Sequence, residues 1–221
     1  MQTVVTLFDT TVGKKAALAV SGLVLFGFVL QHMVGNLQVF LGPEAFNSYA
    51  ATLKSMPALV WSARSVLLLS LLVHVWLMVD LYARSIRARG GSYARSKHRR
   101  TSYASATMKY TGPLLLLFIV FHIAHFTAPG LTLGDAPFTP TDVYTNFVSS
   151  FRVPWVTAVY CVANVLLGMH LYHGAWSLLQ TLGFDHPRYH RARNGIARAI
   201  ALLITAGNVV MPIAVLFGVI S

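Results

Sequence analysis

The chain has 221 residues, of which 56% are hydrophobic and only 10% charged, with a mean hydropathy of +0.63. An ordinary soluble domain carries roughly 25% charged residues, so these proportions exclude a disordered chain and make a soluble globular domain a poor fit. They also exclude a nucleic-acid binder, despite a net charge of +11. A polytopic membrane protein is what the composition describes. The single cysteine, Cys161, lies in an apolar run and supports neither a disulfide within the chain nor a four-cysteine cluster.

A hydrocarbon core of ~30 Å needs about 20 apolar residues as helix. Five runs reach that length, at about 16–41, 58–83, 110–128, 152–181 and 196–220. None alternates in the manner of a strand, and an open sheet in lipid would leave backbone groups unpaired. The first run is longer than the ~7–15 apolar residues of a signal core and is expected to stay in the protein. The expected fold is an all-α membrane protein of five transmembrane helices, with residues 1–221 forming one domain. The outer connection 129–151, with Pro129, Gly130, Gly134, Pro137 and Pro140, reads as an ordered loop.

Charge sets the expected orientation. Lys14, Lys15, Arg84, Arg87, Arg89, Arg95, Lys97, Arg99, Arg100, Lys109, Arg188, Arg191, Arg193 and Arg198 all fall on one side of a five-span arrangement. Lys54, Arg64 and Arg152 fall on the other. The positive-inside rule places the first side, with the amino terminus, in the cytoplasm. Most of these residues read as topology signals and contacts for anionic membrane lipid. Some could serve a soluble partner or the acidic groups of a cofactor.

The histidines carry the functional signal. Ionisable residues within a span are costly and usually functional. His32, His74, His122 and His170 occupy the first four runs in turn, and His125 and His173 follow the last two at three residues. At 1.5 Å per residue, His32 lies ~14 Å and His122 ~9 Å from the outer end of its run, whereas His74 lies ~24 Å and His170 ~27 Å deep. Depth therefore sorts them into an outer pair, His32 with His122, and an inner pair, His74 with His170. Two imidazoles facing each other across a bundle can hold a haem iron axially, and two stacked pairs make an electron path across the bilayer. No Cys-x-x-Cys-His string occurs, so haem b is the expected form. His125 and His173 share a face with their neighbours and are alternative ligands, or contacts to haem or quinone. His98, His186 and His190, in basic segments, read as solvated. Trp76, two residues after His74, is expected near the inner pair.

Several strings resemble a known family. Leu30-Gln31-His32-Met33 is followed by Gly42-Pro43-Glu44-Ala45-Phe46-Asn47, and Val73-His74 stands 42 residues after His32. Phe121-His122 follows, then His170-Leu171-Tyr172-His173-Gly174-Ala175-Trp176-Ser177 and Gln180-Thr181-Leu182-Gly183. Over nearly the whole chain these are similar to the single-chain, five-helix, dihaem cytochrome b anchor of succinate dehydrogenase and fumarate reductase. The resemblance implies haem ligands at His32, His122, His74 and His170, paired first helix with third and second with fourth, with His173 a second choice. It implies a flavoprotein with FAD and an iron–sulfur protein as partners on the cytoplasmic face of a bacterial inner membrane. It also implies a quinone, menaquinone or ubiquinone, as the other redox partner. Dicarboxylate chemistry would lie on the partners, and this chain contributes no catalytic residue of its own. Glu44 is the candidate group at a quinone site. Some relatives carry a transmembrane glutamate just before the fourth-helix ligand; here those positions are Gly168 and Met169. The competing reading is a dihaem cytochrome b anchor of the hydrogenase or formate dehydrogenase type.

Overall fold

A computed structural model describes residues 10–88, 103–127 and 131–221, with the side chains of 103–106 left aside. Arg89, Arg95, Lys97, His98, Arg99, Arg100, Pro129 and Gly130 lie outside the described residues. Among the described residues there are helices and turns but no strand. Helix α1 (Thr11–Asn36) opens on Thr10, whose hydroxyl accepts a hydrogen bond from the Gly13 amide at 3.0 Å, the ordinary chemistry of a helix start. It tightens into a 3-10 turn (Leu37–Leu41) and stops at Gly42, whose φ of +93° only glycine adopts without strain. Two helices then follow with proline in the first turn, α2 (Pro43–Lys54) and α3 (Pro57–Arg87), where the missing N–H is no loss. Next come α4 (Tyr103–Phe126), the short α5 (Val143–Phe151), α6 (Pro154–Thr181) and α7 (His190–Leu216).

Five of these elements are long and apolar enough to cross a membrane: Thr11–Leu41, Pro57–Arg87, Thr107–Phe126, Pro154–Thr181 and Pro187–Leu216. Their outward faces carry large apolar side chains such as Leu69, Leu117, Val162 and Leu202, as lipid-facing surfaces do. Pro113 in α4 and Pro212 in α7 sit inside helices, which bundled membrane helices tolerate.

The spans differ in detail from those read in the sequence. The first begins at Thr11 rather than near 16, because Lys14 is buried against Asp80 rather than solvated. The third begins at Thr107 rather than near 110, and the fifth at Pro187 rather than near 196. The connection expected as a loop over 129–151 contains α5. Its residues Asn146–Phe151 are all buried, and the Asp142 carboxylate caps it by accepting from the Thr145 amide at 3.1 Å.

Helices α1 and α6 form the middle of the bundle. The closest packing is α6 on α7, α1 on α3 and α4 on α6. Helices α2 and α5 pack on each other across one end, which we term the capped end. Most of the core lies there: Val39, Phe46, Phe147, Phe151, Val156, Tyr160, Met211 and Val215. At the open end the buried apolar residues are fewer, chiefly Leu77, Ala197, Ala201 and Ile204.

Small residues set the approach of α6 to α7. A Cβ on Gly168 would run into the Thr205 hydroxyl and touch the Ala201 carbonyl oxygen at 3.5 Å. Gly168→Ala alone is therefore expected to destabilise the bundle by about 1–3 kcal/mol through overpacking. In a Thr205→Ala background the clash is gone, and the better helix former is expected to stabilise it by up to ~1 kcal/mol. Thermal midpoints of the detergent-purified protein measure both. A midpoint unmoved by Gly168→Ala would show that the two helices have slack here.

Candidate functional site

The six histidines of the spans fall into two places. His32 on α1 and His122 on α4 face each other with ring centroids 5.7 Å apart, nearly edge-on. His74 on α3 and His170 on α6 face each other at 6.4 Å. Neither α1 with α4 nor α3 with α6 is a closely packed helix pair. Each pair thus reaches across a gap between helices that do not otherwise touch closely.

Two internal rulers separate the places. The His74 ring lies over Gly22 of α1, where an added Cβ would come within 3.2 Å of its Cε1. Gly22 is ten residues before His32, or ~15 Å along the helix. On α6, Tyr160 contacts His122 and lies ten residues before His170, again ~15 Å.

The second nitrogen of each ring has its own surroundings. His74 Nδ1 lies 3.3 Å from Ser21 Oγ, and Ser21 in turn donates to the Leu18 carbonyl at 3.0 Å. Since the serine hydrogen is committed to a carbonyl, His74 must be the donor at Nδ1, which leaves Nε2 with its lone pair. His122 Nδ1 lies 3.1 Å from the Tyr160 hydroxyl. His170 Nδ1 is buried without a hydrogen-bond partner among the described residues. His32 Nε2 lies 3.0 Å from the Asn36 amide nitrogen, so that amide sits where any ligand of this nitrogen would bind. Phe28 stacks on His32 and Phe118 on His122, which restricts ring rotation at the capped-end pair.

The remaining candidates are placed differently. His125 is 3% exposed and both its nitrogens are engaged, Nδ1 with Tyr160 at 3.0 Å and Nε2 with Ser150 Oγ at 3.1 Å. His173 is partly buried and stacks with Trp176 at 6.5 Å. Glu44 is exposed in the first turn of α2 at the capped end, apart from both pairs. His186 and His190 are exposed at the open end. No group of three or more His, Cys, Asp or Glu comes together among the described residues. Each histidine place is a pair.

Trp76 and Arg193 depart from expectation, and Asp80 joins the packing around them. Trp76 is 57% exposed and points away from the histidines, with the Lys14 ammonium 5.9 Å from its ring. A residue two positions on turns ~200° around a helix, which is the physical reason. Asp80, near the end of α3, binds Lys14 at 2.5 Å and Arg84 at 2.8 Å. Arg193, read as a surface charge, is 5% exposed. It lies over the Trp176 ring at 4.3 Å and donates to the Phe184 carbonyl at 3.0 Å and to Asp185 at 2.9 Å. The Arg193 guanidinium holds the Asp185 carboxyl below the usual carboxylate range. Sequence reading missed Tyr160. Its signal was a tyrosine ten residues before His170, a polar group at the depth of the other pair.

Taken together, these features define a polytopic membrane protein with two pairs of imidazoles stacked along its bundle, each pair held between helices that leave space between them. The sequence is 26% identical over 165 residues to the succinate dehydrogenase cytochrome b558 subunit of Bacillus subtilis (strain 168), covering 74% of this chain and 76% of that one. The likeness to that subunit and the motif resemblance point to the same kind of membrane anchor. No family model and no solved structure matches the chain.

The open-end ion pair gives a direct test of packing near the inner histidines. Asp80→Asn would leave Lys14, whose side chain is 6% exposed, without its carboxylate. A loss of about 1–3 kcal/mol is expected, read as a lower thermal midpoint. Adding Lys14→Met is expected to recover part of that loss. A double variant less stable than Asp80→Asn alone would contradict the pairing.

Proposed function

We propose that the chain is the membrane-anchor cytochrome b subunit of a succinate:quinone oxidoreductase, one transmembrane domain holding two haems b. His32 and His122 would be the axial ligands of one haem, and His74 and His170 those of the other. The observation that carries this reading is the facing of the two imidazole pairs across helix gaps.

The residues fit the group. With an imidazole–metal bond of about 2 Å, the 5.7 and 6.4 Å between ring centroids would leave room for one metal atom shared by the two rings of each pair. The Nδ1 polarity at His74 leaves Nε2 available. Buried imidazoles left bare in hydrocarbon would cost several kcal/mol, and ligation offsets that cost. At the capped end, ligation through His32 Nε2 requires Asn36 to yield.

Haem held by these residues would supply one-electron chemistry. The chain's own residues do the rest. The four helices hold the ligands in register, and the two ~15 Å rulers along α1 and α6 set a stacked order from open end to capped end. Phe28, Phe118 and the ring system around Tyr160 pack against the half-buried capped-end pair and hold its rings in place. The open end, with Lys14, Arg84 and Arg193, would face the cytoplasm and the flavoprotein and iron–sulfur partners. Quinone would be met near the capped end, where Glu44 is an exposed acid. The bacterial cytoplasmic membrane is the corresponding location.

The test is made on the complex purified from membranes through a tag on this chain. Succinate is expected to reduce b-type absorbance in it, and the preparation is expected to contain flavin and iron–sulfur clusters. A folded, haem-loaded preparation that formate or hydrogen reduces and succinate does not would replace the assignment. His74→Ala with His170→Ala is expected to leave one haem per chain, measured as pyridine haemochrome. Two haems retained would reject those ligands.

A further inference from the structure

The hydrogen bonds around Tyr160 run in one direction, and a backbone carbonyl sets it. The Asn146 carbonyl oxygen can only accept, and Ser150 Oγ donates to it at 2.7 Å. A hydroxyl has one hydrogen, so Ser150 accepts from His125 Nε2, 3.1 Å away. His125 is buried, and no ion pair reaches it among the described residues. An imidazolium there would lack a counter-charge, so the ring is neutral. With its hydrogen on Nε2, His125 presents Nδ1 as an acceptor. The Tyr160 hydroxyl therefore donates to it at 3.0 Å. The Tyr160 oxygen then accepts from His122 Nδ1 at 3.1 Å. His122 carries its hydrogen on Nδ1, and its Nε2 is a bare lone pair.

We propose that Ser150, His125 and Tyr160 form a one-way hydrogen-bond chain that fixes the tautomer of His122 so that Nε2 is free to bind a metal, with Tyr160 as the positioning residue. The inference rests on the reading of His122 as an iron ligand. It gives His125 a different task from ligation, since both its nitrogens belong to the chain. The geometry is held firmly: Tyr160 is buried, and Phe118, Phe126 and Phe151 contact its ring with centroids 5.1, 5.9 and 4.9 Å away. At the other pair the same polarity comes from one serine and one carbonyl, Ser21 and Leu18. At the capped end it takes three side chains, which link His122 on α4 through Tyr160 on α6 to the Asn146 carbonyl on α5.

A hydrogen bond given by the non-ligating nitrogen makes an imidazole a stronger donor to its metal. Losing it favours the reduced iron and raises the potential. The test uses the native membrane complex with haem content and both midpoint potentials measured. His122→Ala identifies the haem concerned as the one that disappears. In Tyr160→Phe that haem is expected to stay bound with a raised potential while the other is unmoved. Ser150→Ala is expected to raise it less, through weaker polarisation along the chain, and Ser150→Thr to leave it unchanged. Unmoved potentials in Tyr160→Phe, or equal shifts of both haems, overturn the chain. Should Tyr160→Phe lose the haem, an unmoved potential in Ser150→Ala overturns it instead. If His122→Ala keeps both haems, the ligand reading fails and the chain with it. If His122→Ala loses one and Tyr160→Phe changes nothing, the chain alone fails.

Discussion

An imidazole nitrogen inside hydrocarbon has no water to bond, and each such group left alone costs several kcal/mol. This bundle places six histidines under that constraint, and the arrangement of its helices follows from how each is satisfied. His74 is satisfied by Ser21 and the close approach that Gly22 permits. His125 is satisfied at both nitrogens, by Tyr160 and Ser150. What remains is a facing pair at each of two depths, with a buried, unpartnered Nδ1 on His170. Among the described residues only that nitrogen and Arg193 Nε are buried side-chain atoms without a partner, and under the proposed function the facing rings share their remaining nitrogens with iron.

The two ends of the bundle are made differently, and the difference suits the proposed task. The capped end is a packed apolar core closed by α2 and α5, with Tyr160 and its ring of phenylalanines around the His32–His122 pair. The open end is held by charge: Asp80 with Lys14 and Arg84, and Arg193 over Trp176 with Asp185. A rigid capped end would keep its ligand geometry fixed. A charged open end would offer a surface to soluble partners while its buried charges remain paired, which is the condition for burying them at all.

The five spans were legible because ~20 apolar residues in a row have few other uses. The depth order of the histidines was legible because helix rise is constant. The ends of the spans were not. Lys14 and Arg193 look like solvated charges in a hydropathy pattern, yet an ion pair and a tryptophan face carry them into the helices. Helix α2 was not read in the sequence: Pro43, Glu44 in the first turn and Lys54 in the last follow the charge order that complements a helix dipole, but the surrounding glycine and proline masked it. Helix α5 buries Asn146, Ser149 and Ser150, whose polar groups bond Thr139 and the helix's own Asn146 carbonyl, with Ser150 also reaching His125; buried polar residues in so short a helix leave no apolar pattern to read. Tyr160 and His125 could be linked only once α4 and α6 were seen side by side.

The central claim is that the four facing histidines hold two haems. Its most direct test is the haem content of the purified wild-type chain, measured per polypeptide as pyridine haemochrome alongside the low-temperature spectrum of the reduced protein. The account predicts two b-type haems per chain, both low-spin with two imidazole ligands. One haem per chain, or none in folded protein purified without stripping, would contradict it.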